Sequence, residues 1–230
     1  MEPLPQVRLS PRRDLSLFAL ELGMFAAIFW GDWAGFVPLS KTPFLFVVAW
    51  ASMWMRGVTW RSVGLSLRTG WQRLLGIGIA AGAAMWALEF FLVQNIMLAI
   101  TGELPDLQIF ADVVGNLKLF LIILALNLVL AAFGEELVWR GFALPRVASF
   151  LGGSATAWIA ALVIVNGAFG AAHLYQGLPG VVEAALQGLL LGVLYLATRR
   201  NLVAPIAAHF TANTIDFSLI YLGLHPGVGS

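Results

Sequence analysis

From Lys118 to Arg140 the chain reads KLFLIILALNLVLAAFGEELVWR, with no charge between its first residue and Glu135. Such a run is long enough to cross a hydrocarbon core, which takes about 20 residues as a helix. It ends in two adjacent acids and an arginine. Comparable runs recur on either side. Apolar length and charge placement put spans at roughly 15–37, 43–58, 74–100, 118–139, 155–175, 183–198 and 202–223, the second and sixth being the shortest. Composition agrees: 60% of the 230 residues are hydrophobic and 11% charged, against about 25% charged in soluble domains. Too little polar surface is left to cover a water-facing globule. The expected fold is all-α, a polytopic transmembrane helical bundle of about seven spans.

Alternating the spans across a membrane gathers Arg8, Arg12, Arg13, Arg56, Arg61, Arg68, Arg73, Arg140, Arg146, Arg199 and Arg200 on one side, against Lys41 and Lys118 on the other. The positive-inside rule then makes the N-terminus cytoplasmic and the C-terminus external. Arg8, Arg12 and Arg13 resemble the basic head of a signal peptide, but no small-residue cleavage site follows, so the first span is expected to be retained. Gly78 with Gly82, and Gly188 with Gly192, have the four-residue spacing that lets helix backbones approach in lipid. Nine tryptophans and sixteen phenylalanines fit interfacial belts. The basic residues are scattered and the net charge is +1, so no nucleic-acid partner is implied. The absence of cysteine excludes disulfides, iron–sulfur clusters and thiol nucleophiles.

A charge in hydrocarbon costs about 2.5–3.5 kcal/mol on insertion scales, so each one is a candidate for function. Most have a bland account. Glu21 and Asp32 can reach the two interfaces, Glu183 suits the start of a helix, Asp216 faces the bundle and Glu89 is a hydrogen-bonding residue between helices. His225, in the tail, is expected to be solvated. Three segments are different in kind. In Ala131-Ala132-Phe133-Gly134-Glu135-Glu136-Leu137-Val138-Trp139-Arg140, Glu136 and Arg140 share a helix face and can pair. Glu135 is turned about 100° away, leaving its carboxylate free, with Ala131 and Ala132 making room beside it. The other account of this stretch is a snorkelling charge cluster at the membrane boundary. Phe169-Gly170-Ala171-Ala172-His173 sets a ring one turn before a histidine, and His209-Phe210-Thr211-Ala212-Asn213 sets an imidazole beside a carboxamide.

Glu135-Glu136-x-x-x-Arg140, Phe169-x-x-x-His173 and His209-x-x-x-Asn213 resemble, in order, the three signature motifs of the CPBP family, the type II CAAX prenyl endopeptidases with their bacteriocin-processing and immunity relatives. The resemblance divides the chain into N-terminal transmembrane helices without a recognised motif, 1–117, and a CAAX-protease-like catalytic core, 118–222. It implies an intramembrane endopeptidase in an integral membrane protein. Short loops and the family's spread point to a bacterial cytoplasmic membrane. The implied partners are membrane lipids and a peptide or protein substrate, lipidated in the prenyl-protein members.

Peptide hydrolysis needs an activated water and an oxyanion stabiliser. In this reading Glu135 takes the proton from water, His173 holds that water or shares the proton, and His209 and Asn213 donate to the oxyanion. Glu136 and Arg140 hold geometry. No cofactor is expected. The competing reading is a zinc ion bound by Glu135, His173 and His209, a two-histidine, one-carboxylate set, but there is no HExxH and Asn213 is a poor zinc ligand. Two other classes compete: a non-catalytic peptide-binding or bacteriocin-immunity protein of the same fold, and a small-solute transporter with a charged pathway. One conflict stands within the expected spans. Glu135 falls near the inner end of the fourth and His173 near the outer end of the fifth, an offset on the order of 15 Å. They can meet only if the fourth helix runs on through Arg140 toward Pro145 or the fifth is tilted or broken.

Overall fold

The computed structural model describes residues 11–38, 40–67 and 70–228; Arg8 and Arg68, counted above on the basic side, lie outside them. Among the described residues all regular structure is helical and there is no strand. The rods are α1 (Pro11–Trp33), α2 (Thr42–Met55), α3 (Trp71–Thr101), α4 (Leu117–Phe150), α5 (Ala155–Ala171), α6 (Gly177–Ala197) and α7 (Val203–Tyr221). They fall on the seven expected segments. Four have the length and apolarity to cross a membrane: α1, α3, α4 and the stretch Leu174–Ala197 that contains α6. Helices α2 and α5 are apolar but shorter.

Local chemistry sets the ends. The Asn116 side chain accepts from Leu119 N at the start of α4, and Ser154 does the same for Ala157 N at the start of α5. Gly102, with φ +75°, closes α3 in the left-handed region. Large apolar side chains such as Trp54, Ile100, Leu121 and Val163 cover the outside, while Glu136, Arg140 and His209 are buried. Polar groups inside and apolar groups outside is the distribution that lipid as solvent demands. Gly78 and Gly82 sit where a Cβ would lie 2.5 Å from Ala204 O and 2.3 Å from Ala208 O, so α3 and α7 touch backbone to backbone.

Helix α4 does not end near Trp139. It continues to Phe150, because Arg140 is not a boundary charge but a buried one paired through both terminal nitrogens, and because Arg146 is drawn into the interior by Asp14 and Glu21. Its middle is π-helical over Asn127–Glu135 and Leu137–Ala143. The longer helix removes the depth conflict. Through the short 151–154 connection, Glu135 stands roughly 23 Å from the end of α4 and His173 roughly 27 Å from the start of α5, at about 1.5 Å per residue. The two are level.

Three of the bland accounts are corrected. Glu21 is not open to solvent at its end of α1 but buried against protein, paired with Arg56 and with Arg146 Nε at 2.9 Å and bonded by Ser52. Glu183 is not at a helix start, since α6 begins at Gly177, and it accepts from Gln94 of α3. His225 is not solvated: it is 3% exposed, 3.6 Å from Asp216 and edge-on to Phe90. In each case a partner distant in sequence supplies what water or the interface was expected to supply.

Candidate active site

The twin acids have opposite surroundings. Glu136 is wholly buried, and its Oε1 accepts from Arg140 Nη1 at 2.7 Å and from His209 Nδ1 at 2.9 Å. The i, i+4 spacing supplies the first bond and α7 the second. Arg140 Nη2 donates to Gly188 O at 2.7 Å and Asn166 Oδ1 at 3.3 Å, and the guanidinium lies over the Phe169 ring at 4.8 Å. Arginine suits the position because a planar fork can serve several acceptors at once. A Cβ at residue 188 would stand 3.1 Å from Arg140 Nη2 and 2.8 Å from Asn166 Oδ1, so glycine makes the room. Asn166 is oriented by its own bond to Leu162 O at 2.7 Å.

Glu135, one residue away, is only partly buried and accepts from the Thr42 hydroxyl at 3.3 Å. It lies within the electrostatic reach of His173, as do Lys41 and His209. His173, also partly exposed, holds Phe169 O with Nδ1 at 2.9 Å. A carbonyl can only accept, so Nδ1 carries the proton and Nε2 of the neutral ring is an acceptor. His209 likewise commits Nδ1, to Glu136, and leaves Nε2. Phe169 packs between the elements, 4.9 Å from the His173 ring, 6.4 Å from His209 and 5.5 Å from Trp139. Asn213 donates to Asn127 Oδ1 at 3.0 Å, tying α7 to the π-helical part of α4.

The structure therefore brings Glu135, His173 and His209 into one neighbourhood, with Glu136 and Arg140 behind His209 and Asn213 on the same helix as His209. Among the described residues no group of three His, Asp or Glu side chains could hold a metal ion. Three residues of this neighbourhood escaped the sequence reading: Thr42, Asn127 and Asn166. Each is a lone small polar side chain in an apolar helix, and only Asn127 and Asn166 carried any signal, as amides inside spans. An apolar cavity of about 550 Å³ is lined by Leu67, Trp71, Leu128, Phe133, Ile206 and Phe210 among others, and by none of Glu135, His173 and His209. Phe133 is two residues from Glu135 and Phe210 follows His209.

Residues 117–215 match the family model described as type II CAAX prenyl endopeptidase Rce1-like. The matched segment holds all three motifs, Glu135 to Asn213, and agrees with the resemblance read from them. No curated protein and no solved structure matches the chain.

Proposed function

We propose that the chain is a membrane-embedded endopeptidase whose region 118–222 hydrolyses a peptide bond with water activated by Glu135. The observation that carries this is the contrast between the twin acids inside the segment matched to the endopeptidase family. Glu136 is wholly buried and paired through Oε1 with Arg140 and His209, whereas Glu135 is partly exposed beside a histidine with a free acceptor nitrogen. A carboxylate so placed can take a proton from water as that water attacks the scissile carbonyl, and return it to the leaving amine. His173 Nε2 is suited to accept a hydrogen bond from the same water. The second N–H of Asn213 is assigned to the developing oxyanion, and so is His209 Nε2 in the doubly protonated ring that the Glu136 carboxylate can hold; each donor is worth about 10²–10³-fold. Glu136 and Arg140 hold His209 in place.

The apolar cavity beside Phe133 and Phe210 supports a lipidated substrate, since a prenyl or acyl chain would fill it without needing a polar partner. The protein is read as integral to a bacterial cytoplasmic membrane, with seven crossings and the N-terminus inside. The reaction is read as metal-free.

The test is cleavage of an internally quenched farnesylated CAAX peptide by the protein in detergent or liposomes. Glu135→Gln and His173→Ala are expected to insert and fold normally, with turnover lower by about 10²–10⁴-fold for the glutamate. Phenanthroline in excess is expected to leave the wild-type rate unchanged. Full turnover by Glu135→Gln overturns the mechanism, and loss to chelator restored by zinc replaces it with the zinc reading.

A further inference from the structure

We infer that Thr42, aimed by Ser40, is a positioning residue for Glu135, so that the N-terminal helices without motifs supply part of the site. This inference rests on the reading of Glu135 as the water-activating base. Thr42 opens α2, is 3% exposed, and reaches Glu135 across 93 positions of sequence.

Two features fix its orientation. The first is the direction of the hydrogen bonds. Thr42 N–H donates to Ser40 Oγ at 3.2 Å, and Ser40 Oγ donates to Thr42 Oγ1 at 3.1 Å. The Thr42 hydroxyl oxygen is thus already an acceptor, and its own hydrogen is left for Glu135 Oε1 at 3.3 Å. Ser40 at the same time takes up one of the backbone N–H groups that a helix start leaves without an intrahelical partner. The second feature is steric. A Cβ built at Gly134 would stand 2.8 Å from Thr42 Cγ2, so glycine before the twin acids is what lets the Thr42 methyl seat against α4. A β-branched side chain has few χ1 choices. With the methyl seated at Gly134, the hydroxyl points to Glu135.

A partly exposed carboxylate flanked by small residues would otherwise sample several rotamers. Holding one oxygen at Thr42 leaves the other for water beside His173. Geometry of this kind affects rate more than binding, because a misplaced base slows the chemical step without touching the substrate.

Thr42→Val keeps the shape and removes the hydroxyl, and Thr42→Ser keeps the hydroxyl. With the farnesylated peptide, Thr42→Val is expected to lower kcat about tenfold, the effect of one lost hydrogen bond, with KM and thermal stability unchanged. Thr42→Ser is expected to restore most of the rate. Infrared difference spectra against Glu135→Gln isolate the Glu135 carboxylate stretch, which is expected to move in Thr42→Val and not in Thr42→Ser. A Thr42→Val protein with wild-type kcat and an unmoved band overturns the inference while an inactive Glu135→Gln leaves the endopeptidase reading intact. Parallel loss of rate, KM and stability, not rescued by serine, also overturns it in favour of a packing role. Should Glu135→Gln retain turnover, or the peptide resist cleavage, the endopeptidase reading fails and the infrared band alone decides the Thr42 contact.

Discussion

Glu135 and Glu136 are chemically identical and adjacent, and their difference is made entirely by what surrounds them. Glu136 sits where Arg140, one turn on, and His209, from another helix, both donate to a single oxygen. Removing Arg140 leaves that carboxylate buried without its cation, which typically costs about 3–5 kcal/mol. Arg140→Ala is therefore expected to unfold at clearly lower temperature in detergent and to lose activity with it. Arg140→Lys is expected to recover only part of this, because one ammonium cannot reach Glu136, Gly188 O and Asn166 together. Thermal melts of both variants check the point; an Arg140→Ala protein as stable as wild type would show that the pair contributes nothing.

At the scale of elements, α4 is the member around which the site is built. Its π-helical middle covers Asn127, Glu135 and Arg140, the residues that reach outward to α7, α2 and α5. Widened turns of this kind are rare and concentrate at functional positions. The seat of His209 depends on a different pair of elements. Helix α7 lies directly on α3, and Ala208 is the residue that Gly82 lets in. Gly82→Ala would put a methyl 2.3 Å from Ala208 O, a backbone atom that can yield only if the helices separate. The expected cost is about 1–3 kcal/mol. Activity should fall more than stability alone explains, since His209 moves with its neighbour. Melting temperature and kcat measured on Gly82→Ala test this together.

Across the whole molecule, α1 and α2 lie along the second half of α4 and are fastened at both ends. At one end Asp14 and Glu21 of α1 meet Arg56 after α2 and Arg146 near the end of α4. At the other, Lys41 pairs with Asp32 at 2.8 Å and lies over Tyr175 at 5.8 Å, beside the Thr42–Glu135 contact. Glu135 thus contacts the side of the bundle where α1 ends and α2 begins. The positive-inside assignment puts that side away from the cytoplasm. A chain without cysteine makes the test direct. Glu103→Cys is expected to react with an impermeant maleimide on intact cells, and Ser154→Cys only after permeabilisation; both residues are exposed. The reverse pattern inverts the topology and turns the Lys41–Asp32 end to the cytoplasm.

Apolar run length and i, i+4 spacing are local quantities, and they were enough for the all-helical class of the described residues, the long apolar helices, the Glu136–Arg140 contact and the glycine faces of α3 and α6. The motif order from Glu135 to Asn213 was equally legible, and it is the part that agrees with the endopeptidase family match. What no local pattern contains is the partner of a buried charge. Arg140 looked like the end of a span because a charge in hydrocarbon is costly alone; Gly188 O, Asn166 and Phe169 make it an interior residue and let α4 run to Phe150. Glu21, Glu183 and His225 follow the same rule, since each has its partner on another element. Thr42 was invisible because one threonine at a helix start carries no periodic signal, and its meaning comes only from packing against Gly134. Solvation by distant protein groups instead of water is a property of the tertiary structure, and in a membrane it decides which charge is structural and which is free to act.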